Sequence, residues 1–573
     1  MNDLSKTIYI VNTVCFSGTL RRAALLLLVA ALMSGCGSSG KFVAPPKVPS
    51  DMRKVPEPAS RKINIAGDVV KKQFLDQMEE SFDLSRQFRN LFGKKKEAYN
   101  INAFDEIDNN SWFTNRNHLH PMTPEEVATG PNRGQMGPNT GGPWTIVSVK
   151  VEGVTPGFNI QDSEGQRYVI KFEPPAYSEM PSGAEVVSTK LFYAAGYNVP
   201  ENFVVFFDPS ILRLGDNVTF TDPLGRKRAF NQQDLSRLLS KIHKLPDGRI
   251  RAAASKFLQA EAFLGPFYYK SRRKDDANDF ISHQHRRELR GLRVIAAWLN
   301  HFDTKANNSL DVYTAEGYVR HYLIDFGSTL GSNGDEPMPG YIGDENSFDP
   351  HEIGLNTLSL GLYVRPWEKN WKVDYPSIGY FTSEGFHPQK YKFIQPNPAF
   401  ELLTDRDGFW GAKIVMSFSD EQIEAAVQQG QYSDPAAEAY LIKTIIERRD
   451  IVGRYWFDRV NPLDRFVLEK NAAGGQELRF TDLAVAGKLY ALEDAAYRYS
   501  LKQNGETLLL TAQEIGNKTG ITLPASLEGG ASGDQLHVLV EAQRPGGDWH
   551  QPVSVYLQWD GEGKEFRLMG VRR

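Results

Sequence analysis

His301-Phe302-Asp303-Thr304-Lys305-Ala306-Asn307-Asn308 is followed, after a short spacer, by Ile324-Asp325-Phe326-Gly327. These residue types at this spacing suit phosphoryl transfer. That chemistry asks for an acid near the acceptor hydroxyl and for oxygen ligands to Mg²⁺, and for little else. Asp303 is a candidate for the first role. Asn308 and Asp325 offer the hard oxygen donors that Mg²⁺ prefers, and water completes its shell. The spacer contains two short apolar runs, Ser309 to Tyr313 and His321 to Ile324, around a Glu316-Gly317 turn. It predicts a hairpin, which returns the chain to its starting end and would bring Asp303 and Asp325 to one cleft.

The elements that must position these groups lie upstream. Trp144 to Glu152 alternates apolar and polar residues, and Phe158 to Gln161 forms a second short strand. Asp162-Ser163-Glu164-Gly165 reads as a hairpin turn before a third strand, Arg167 to Phe172. Ala184 to Ala195 predicts a helix that ends at Gly196, and Asn202 to Asp208 a fourth strand. Lys171 closes the run Val169-Ile170-Lys171, and Glu185 sits at the start of the helix, where the two could pair. Gly153 and Gly157, between the first two strands, could let backbone N–H groups approach phosphate. Helices are predicted over Gln233 to Ile242, His285 to His301, Asp420 to Gln429 and Pro435 to Val452. After Pro462 the pattern turns to strands between Gly-rich turns: Leu536 to Ala542, Val553 to Trp559 and Glu565 to Val571.

Taken in order, H-x-D-x-K-x-x-N, D-F-G, V-I-K and the helix Glu resemble the motifs of the protein kinase-like superfamily. The likeness is greater to its atypical branches (HipA-like, lipid-kinase-like and secreted kinases). It covers roughly Trp144 to Val460. It implies an α+β fold: a two-lobed kinase-like domain with an antiparallel-sheet N-lobe and a helical C-lobe. The expected division is 62–143 as an N-terminal helical and loop extension, 144–210 as the N-lobe, 211–462 as the C-lobe, and 463–573 as a small C-terminal β domain. The resemblance also implies roles. Asp303 would take the acceptor's proton and Lys305 would neutralise the γ-phosphate. Asn308 and Asp325 would hold Mg²⁺, and Lys171, held by Glu185, would bind the α- and β-phosphates of ATP. An adenine site is expected along a hinge at Phe203 to Asp208. There are departures. Phe302 replaces the Arg of H-R-D, no A-P-E follows D-F-G, and Gly331 to Asn346 is instead rich in Gly, Pro and acids. Docking of protein substrates in the familiar way is therefore not expected. An inactive pseudokinase or a scaffold protein is the second reading.

The N-terminus carries a different signal. Arg21-Arg22 precede eleven uninterrupted apolar residues, Ala23 to Met33. That run is too short for a membrane span, which needs about 20 residues. It suits a secretory signal peptide. Leu32-Met33-Ser34-Gly35-Cys36 resembles the lipobox of bacterial lipoproteins, which implies a diacylated Cys36 as the first mature residue and residues 1–36 as signal peptide and lipobox. The segments Ala103 to Arg116 and Arg286 to Arg293 also resemble bacterial lipoproteins, and that likeness implies no substrate. Gly37 after the Cys implies export to the outer membrane, so the expected location is the cell envelope, facing the periplasm. Residues 37–61, rich in Ser, Gly, Pro and Lys, predict a flexible tether. Val69 to Phe92 has helical apolar spacing.

Cys15 and Cys36 are the two cysteines, so the exported chain is expected to hold no disulfide. A formal net charge of −4 gives no reason to expect a nucleic-acid partner. His283-x-His285 and His118-x-His120 lack a third ligand at zinc spacing and read as polar loop residues. There is no G-x-x-x-x-G-K-[ST], H-E-x-x-H or G-x-S-x-G. Trp549 and Trp559 could stack on sugar rings, so an envelope protein or polysaccharide is a possible partner of the C-terminal domain, although strand core is the commoner use of Trp. For the anchor, Cys36→Ser should move the protein from the membrane fraction to the soluble fraction. A Cys36→Ser protein that still sediments with membranes would rule the anchor out.

Overall fold

In the computed structural model the described residues are 41–61, 96–150, 157–221, 227–345 and 357–573, a few single positions excepted. The signal segment, Cys36, the helix expected over Val69 to Phe92 and Gly153 lie outside them. The first sheet is built from β1 (Trp144–Lys150), β2 (Gly157–Gln161) and β3 (Arg167–Phe172). Helix α1 (Met180–Ala195) follows, then β4 (Asn202–Phe207), β5 (Leu212–Leu214), a small β6–β7 hairpin (Thr219–Thr221, Lys227–Ala229), α2 (Gln232–Leu239) and β8 (Ile250–Lys256). The β2–β3 turn is set by Asp162. Its Oδ1 accepts from the N–H of Glu164 (3.0 Å) and of Gln166 (2.8 Å), while Gly165 takes the left-handed conformation (φ 80°).

The strand order is β4-β8-β3-β2-β1-β5. All pairs are antiparallel except β1 with β5. The N-lobe therefore does not end at residue 210 as its sequence suggested. Residues 211–256 complete it: Leu212, Val218, Phe230, Leu235 and Ile250 share one core with Trp144, Phe158 and Phe172. Strand β8 inserts between β3 and β4. Its Ala252-Ala253-Ala254 run is a poor strand signal, yet small residues fit a strand covered on both faces.

The helical lobe begins with β9 (Ala262–Gly265), α3 (Arg287–Trp298), β10 (Ser309–Tyr313) and β11 (Val319–Leu323), and continues with α4 (Asp405–Met416), α5 (Asp420–Gln428) and α6 (Pro435–Arg459). The hairpin expected between Asn308 and Asp325 is β10–β11, pairing Ser309 with Leu323 and Tyr313 with Val319. Helices α3 and α4 approach closely, because any Cβ at Gly291 would meet the Trp410 ring and any at Gly411 the Gly291 carbonyl. A buried ionic cluster fixes that crossing. Asp407 meets Arg290 at 3.0 Å and Arg287 at 3.3 Å, and Arg287 reaches Asp105 at 2.7 Å. Burial alone would raise the pKa of Asp105, but Arg287, Arg406 and Arg573 outweigh it and keep the carboxylate ionised.

The C-terminal strands form two sheets, β12-β13-β16 and β15-β14-β17-β18-β19, over one core. Here β12 is Leu463–Lys470, β13 Gln476–Asp482, β14 Ala496–Gln503, β15 Thr507–Gly516, β16 Gly520–Thr522, β17 Gln535–Gln543, β18 Val553–Asp560 and β19 Glu565–Arg572. Trp559 belongs to that core, against Phe566. It is not open to a sugar. Trp549 is half-buried under the Arg498 guanidinium.

Residues 41–61, expected as a free tether, are docked along the domain. Phe42 stacks on Tyr556 (4.4 Å) and exchanges hydrogen bonds with the Gln535 side chain. Asp51 accepts from the Ser111 N–H and hydroxyl, and the Arg61 N–H reaches the Leu264 carbonyl. Their composition reads as mobile because few residues are apolar, but backbone and carboxylate hydrogen bonds do the docking. Among the described residues no helix is long and apolar enough to cross a membrane.

Asp407 caps α4 through Thr404 as well as pairing with both arginines. Asp407→Ala leaves two guanidinium groups buried without it and should cost about 3–5 kcal/mol. A thermal melt of the full chain checks this, with a clear fall in midpoint expected.

Candidate active site

Lys171 is the fifth residue of β3, opposite Gly157 of β2 and Ala253 of β8. Its Nζ lies 2.7 Å from Glu185 Oε2 and 2.6 Å from Asp325 Oδ1. One ammonium thus joins the sheet, helix α1 and the loop that follows β11. Burial works against the charge on Lys171, but the Asp325 and Glu185 carboxylates outweigh it and hold its pKa above the ordinary lysine value.

Glu185 is fully enclosed because α1 is buried almost all round, as an apolar helix must be. Its Oε1 accepts from Asn202 Nδ2 at 3.1 Å. Asp325 is set by its neighbour in the chain. Phe326 is completely buried between Phe192 of α1 (ring centroids 4.9 Å) and His301 (5.5 Å). With Phe326 inserted, Asp325 takes a left-handed backbone (φ 67°), a conformation non-glycine residues hold only when their surroundings impose it. At Gly327 a Cβ would come within 3.3 Å of Glu185 Oε2.

The H-x-D-x-K-x-x-N loop lies beside this triad. Asn308 donates through Nδ2 to the Asp303 carbonyl (2.9 Å) and carboxylate (3.0 Å), and its carbonyl accepts from the Ile324 N–H (3.1 Å). Lys305 Nζ is 2.8 Å from Asp303 Oδ1. Burial raises the Asp303 pKa, the Asp325 charge adds to that, and Lys305 and Asn308 oppose it. A carboxylate with a raised pKa is a better proton acceptor. Phe302, in place of the motif Arg, is buried in the helical-lobe core.

A cavity of about 580 Å³ opens above Lys171 and Asp325, within the range of small-molecule sites. Val149 and Val169 line it from the sheet, Leu310 from β10, Ile324 from just past β11, and Ser255, Lys256, Phe257 and Leu258 from the end of β8 and the crossing that follows it. That crossing moves the expected hinge. Phe203 to Phe207 is the outer strand β4, screened from β3 by β8, so the chain leaves the sheet for the helical lobe after β8 and not after β4.

The structure therefore brings together Lys171, Glu185, Asp303, Lys305, Asn308 and Asp325. Gly157 is placed in the ladder opposite Lys171, where a Cβ would strike the Ile170 carbonyl, so close strand packing already requires its glycine. The paired histidines are not together: His283 is buried against Asp279 (2.8 Å), and His118 is enclosed in the core. Among the described residues no group of three or more His, Cys, Asp or Glu is gathered for a metal. Sequence reasoning missed Asn202 and the 255–258 crossing. An Asn at a strand start reads as an ordinary turn residue, and β8 carried no usable apolar pattern.

Fold and site define a two-lobed, kinase-like α+β domain. No protein-family model matches the chain, and no curated protein does. Among solved structures it is similar to the Helicobacter pylori proinflammatory kinase CtkA, at 11% identity over 54% of this chain and 96% of that one, TM-score 0.29. It is also similar to the Golgi casein kinase with Mn/ADP bound, at 11% identity over 72% of this chain and 94% of that one, TM-score 0.27.

Burial pushes the pKa of His301 down to about 4. The folded state then binds a proton less readily than the unfolded chain, whose His titrates near 6.5. His301's contribution is complete above about pH 6.5 and is lost as the pH falls toward 4, by up to roughly 3 kcal/mol. His301→Phe should therefore flatten the acid side of the stability profile, measured as urea midpoint against pH. Partly buried His285 and His537 are shifted in the same direction, so some slope should persist.

Proposed function

We propose that the chain is a Mg²⁺-dependent phosphotransferase that moves the γ-phosphoryl of ATP to a hydroxyl acceptor, and that a lipid on Cys36 holds it at the envelope membrane. The observation that supports the first part is that Lys171, Glu185 and Asp325 meet in one cleft, with the Asp303–Asn308 pair beside it through the Ile324 N–H to Asn308 carbonyl bond. The apolar side chains of Val149, Val169, Leu310 and Ile324 that line the cavity suit a flat adenine ring. Lys171 lies farther in and would bind the α- and β-phosphates. Asp303 would orient the acceptor hydroxyl and take its proton.

The charges also fit a divalent cation. Three carboxylates, on Glu185, Asp303 and Asp325, face two ammonium groups, on Lys171 and Lys305. That surplus of negative charge disfavours a bare polyphosphate and favours one that arrives with metal. Asp325 and the Asn308 amide oxygen are hard donors suited to Mg²⁺. When bound, Mg²⁺ would neutralise phosphate charge as the transferring group separates.

Mg·ATP at millimolar concentration should raise the melting temperature by mass action. Asp325→Ala should abolish that shift. Asp303→Ala should keep it while lowering ATP turnover by at least about 100-fold. If Mg·ATP produces no shift, the kinase reading fails. If it binds without turnover, and Asp303→Ala changes nothing, the second reading holds: an inactive kinase-like domain acting as an envelope scaffold.

A further inference from the structure

Lys171 satisfies only one oxygen of the Glu185 carboxylate, and Glu185 is 1% exposed. A buried carboxylate with a bare oxygen is costly and free to rotate its charge away. The second oxygen is met by Asn202, which is itself fully buried. The Asn202 amide donates twice, to Glu185 Oε1 (3.1 Å) and to Thr189 Oγ1 (2.7 Å). Thr189 Oγ1 in turn donates to the Glu185 carbonyl (2.7 Å). The three residues close a ring. Only the amide nitrogen can serve both acceptors, so the orientation of the Asn202 side chain is decided by chemistry.

Asn202 also joins this ring to the cleft. It opens β4 in register with Ser255 of β8, and one residue on the Lys256 N–H bonds the Glu201 carbonyl. Ser255 and Lys256 line the cavity where the chain crosses to the helical lobe. Helix α1 is held from its other side too. Ser188 shares a hydrogen bond with Thr329 (2.6 Å), just past the D-F-G turn. Near the helix start Glu173 binds the Ser182 hydroxyl and Arg251.

We infer that Asn202 is a positioning residue of the phosphotransfer site: it fixes the Glu185 carboxylate so that Oε2 faces Lys171, and it ties that geometry to the strand end at the nucleotide cleft. This rests on the kinase reading. The Lys171–Glu185 pair is closed in this structure, at 2.7 Å. Thr329 and Ser332, in the segment after D-F-G, are fully buried.

The test is a double-mutant cycle on the full-length protein with Asn202→Ala, Glu185→Gln and both. Mg·ATP affinity is measured by calorimetry and folding by thermal melt. Asn202→Ala alone should weaken Mg·ATP roughly tenfold or more, the scale of one lost charged hydrogen bond. In the Glu185→Gln background the same change should matter less than about twofold, because neighbours that act through one another are not additive. Asn202→Asp keeps the shape but sets a like charge against Glu185, and should bind at least as poorly as Asn202→Ala. Additive losses, or wild-type affinity in Asn202→Asp, would overturn the inference. If the unmutated protein binds no Mg·ATP, the kinase reading has failed, and the contact is then judged on the melting temperatures of the same four proteins. Non-additive shifts support it and additive shifts refute it.

Discussion

The Lys171 ammonium is the point through which the rest of the site is connected. It draws a carboxylate from helix α1 and another from the loop after β11 to within 2.7 Å of one atom. Each partner needs the other elements. Glu185 is buried, and Lys171 and Asn202 each meet one of its carboxylate oxygens. Asp325 can hold a left-handed backbone because Phe326 is sealed between Phe192 and His301. Loss of the lysine would leave two like charges facing each other, one of them buried with no cation to offset it.

The helical lobe supplies a rigid base by similar means. Arg287 and Arg290 on α3, Asp407 on α4 and Asp105 on the preceding loop form a buried ionic lattice. Such groups gain little net stability over apolar packing, but they tolerate few alternative arrangements. The hydrophobic contacts decide that these elements pack, and the ion pairs decide in which register. The same division holds across the lobes, where Arg251 of β8 donates to the Gly430 and Gln431 carbonyls just past α5.

Much of the arrangement around Lys171 was legible in the sequence because its parts are local. Asp303, Lys305 and Asn308 sit on one loop, and a hairpin of obvious strand alternation leads to Asp325. The Lys171 strand and the Glu185 helix had clean turn and stop signals at Gly165 and Gly196. What stayed hidden was non-local. Strand β8 is recognisable only by where it pairs, so the hinge was placed one strand too early, and the N-lobe was ended too soon. Asn202 acts through contacts to residues far from it in the chain, Glu185 among them, seventeen residues away. The docking of residues 41–61 uses backbone groups and single side chains, which leave no periodic trace.

That docking has a geometric consequence. Phe42 is clamped to the C-terminal β domain, on the Tyr556 ring and the Gln535 amide. Five residues lie between it and Cys36, which makes six Cα-to-Cα steps. At full extension these six steps span about 20 Å. With a lipid on Cys36, that span would set the greatest distance between Phe42 and the bilayer surface, and so hold the C-terminal β domain near the lipid headgroups.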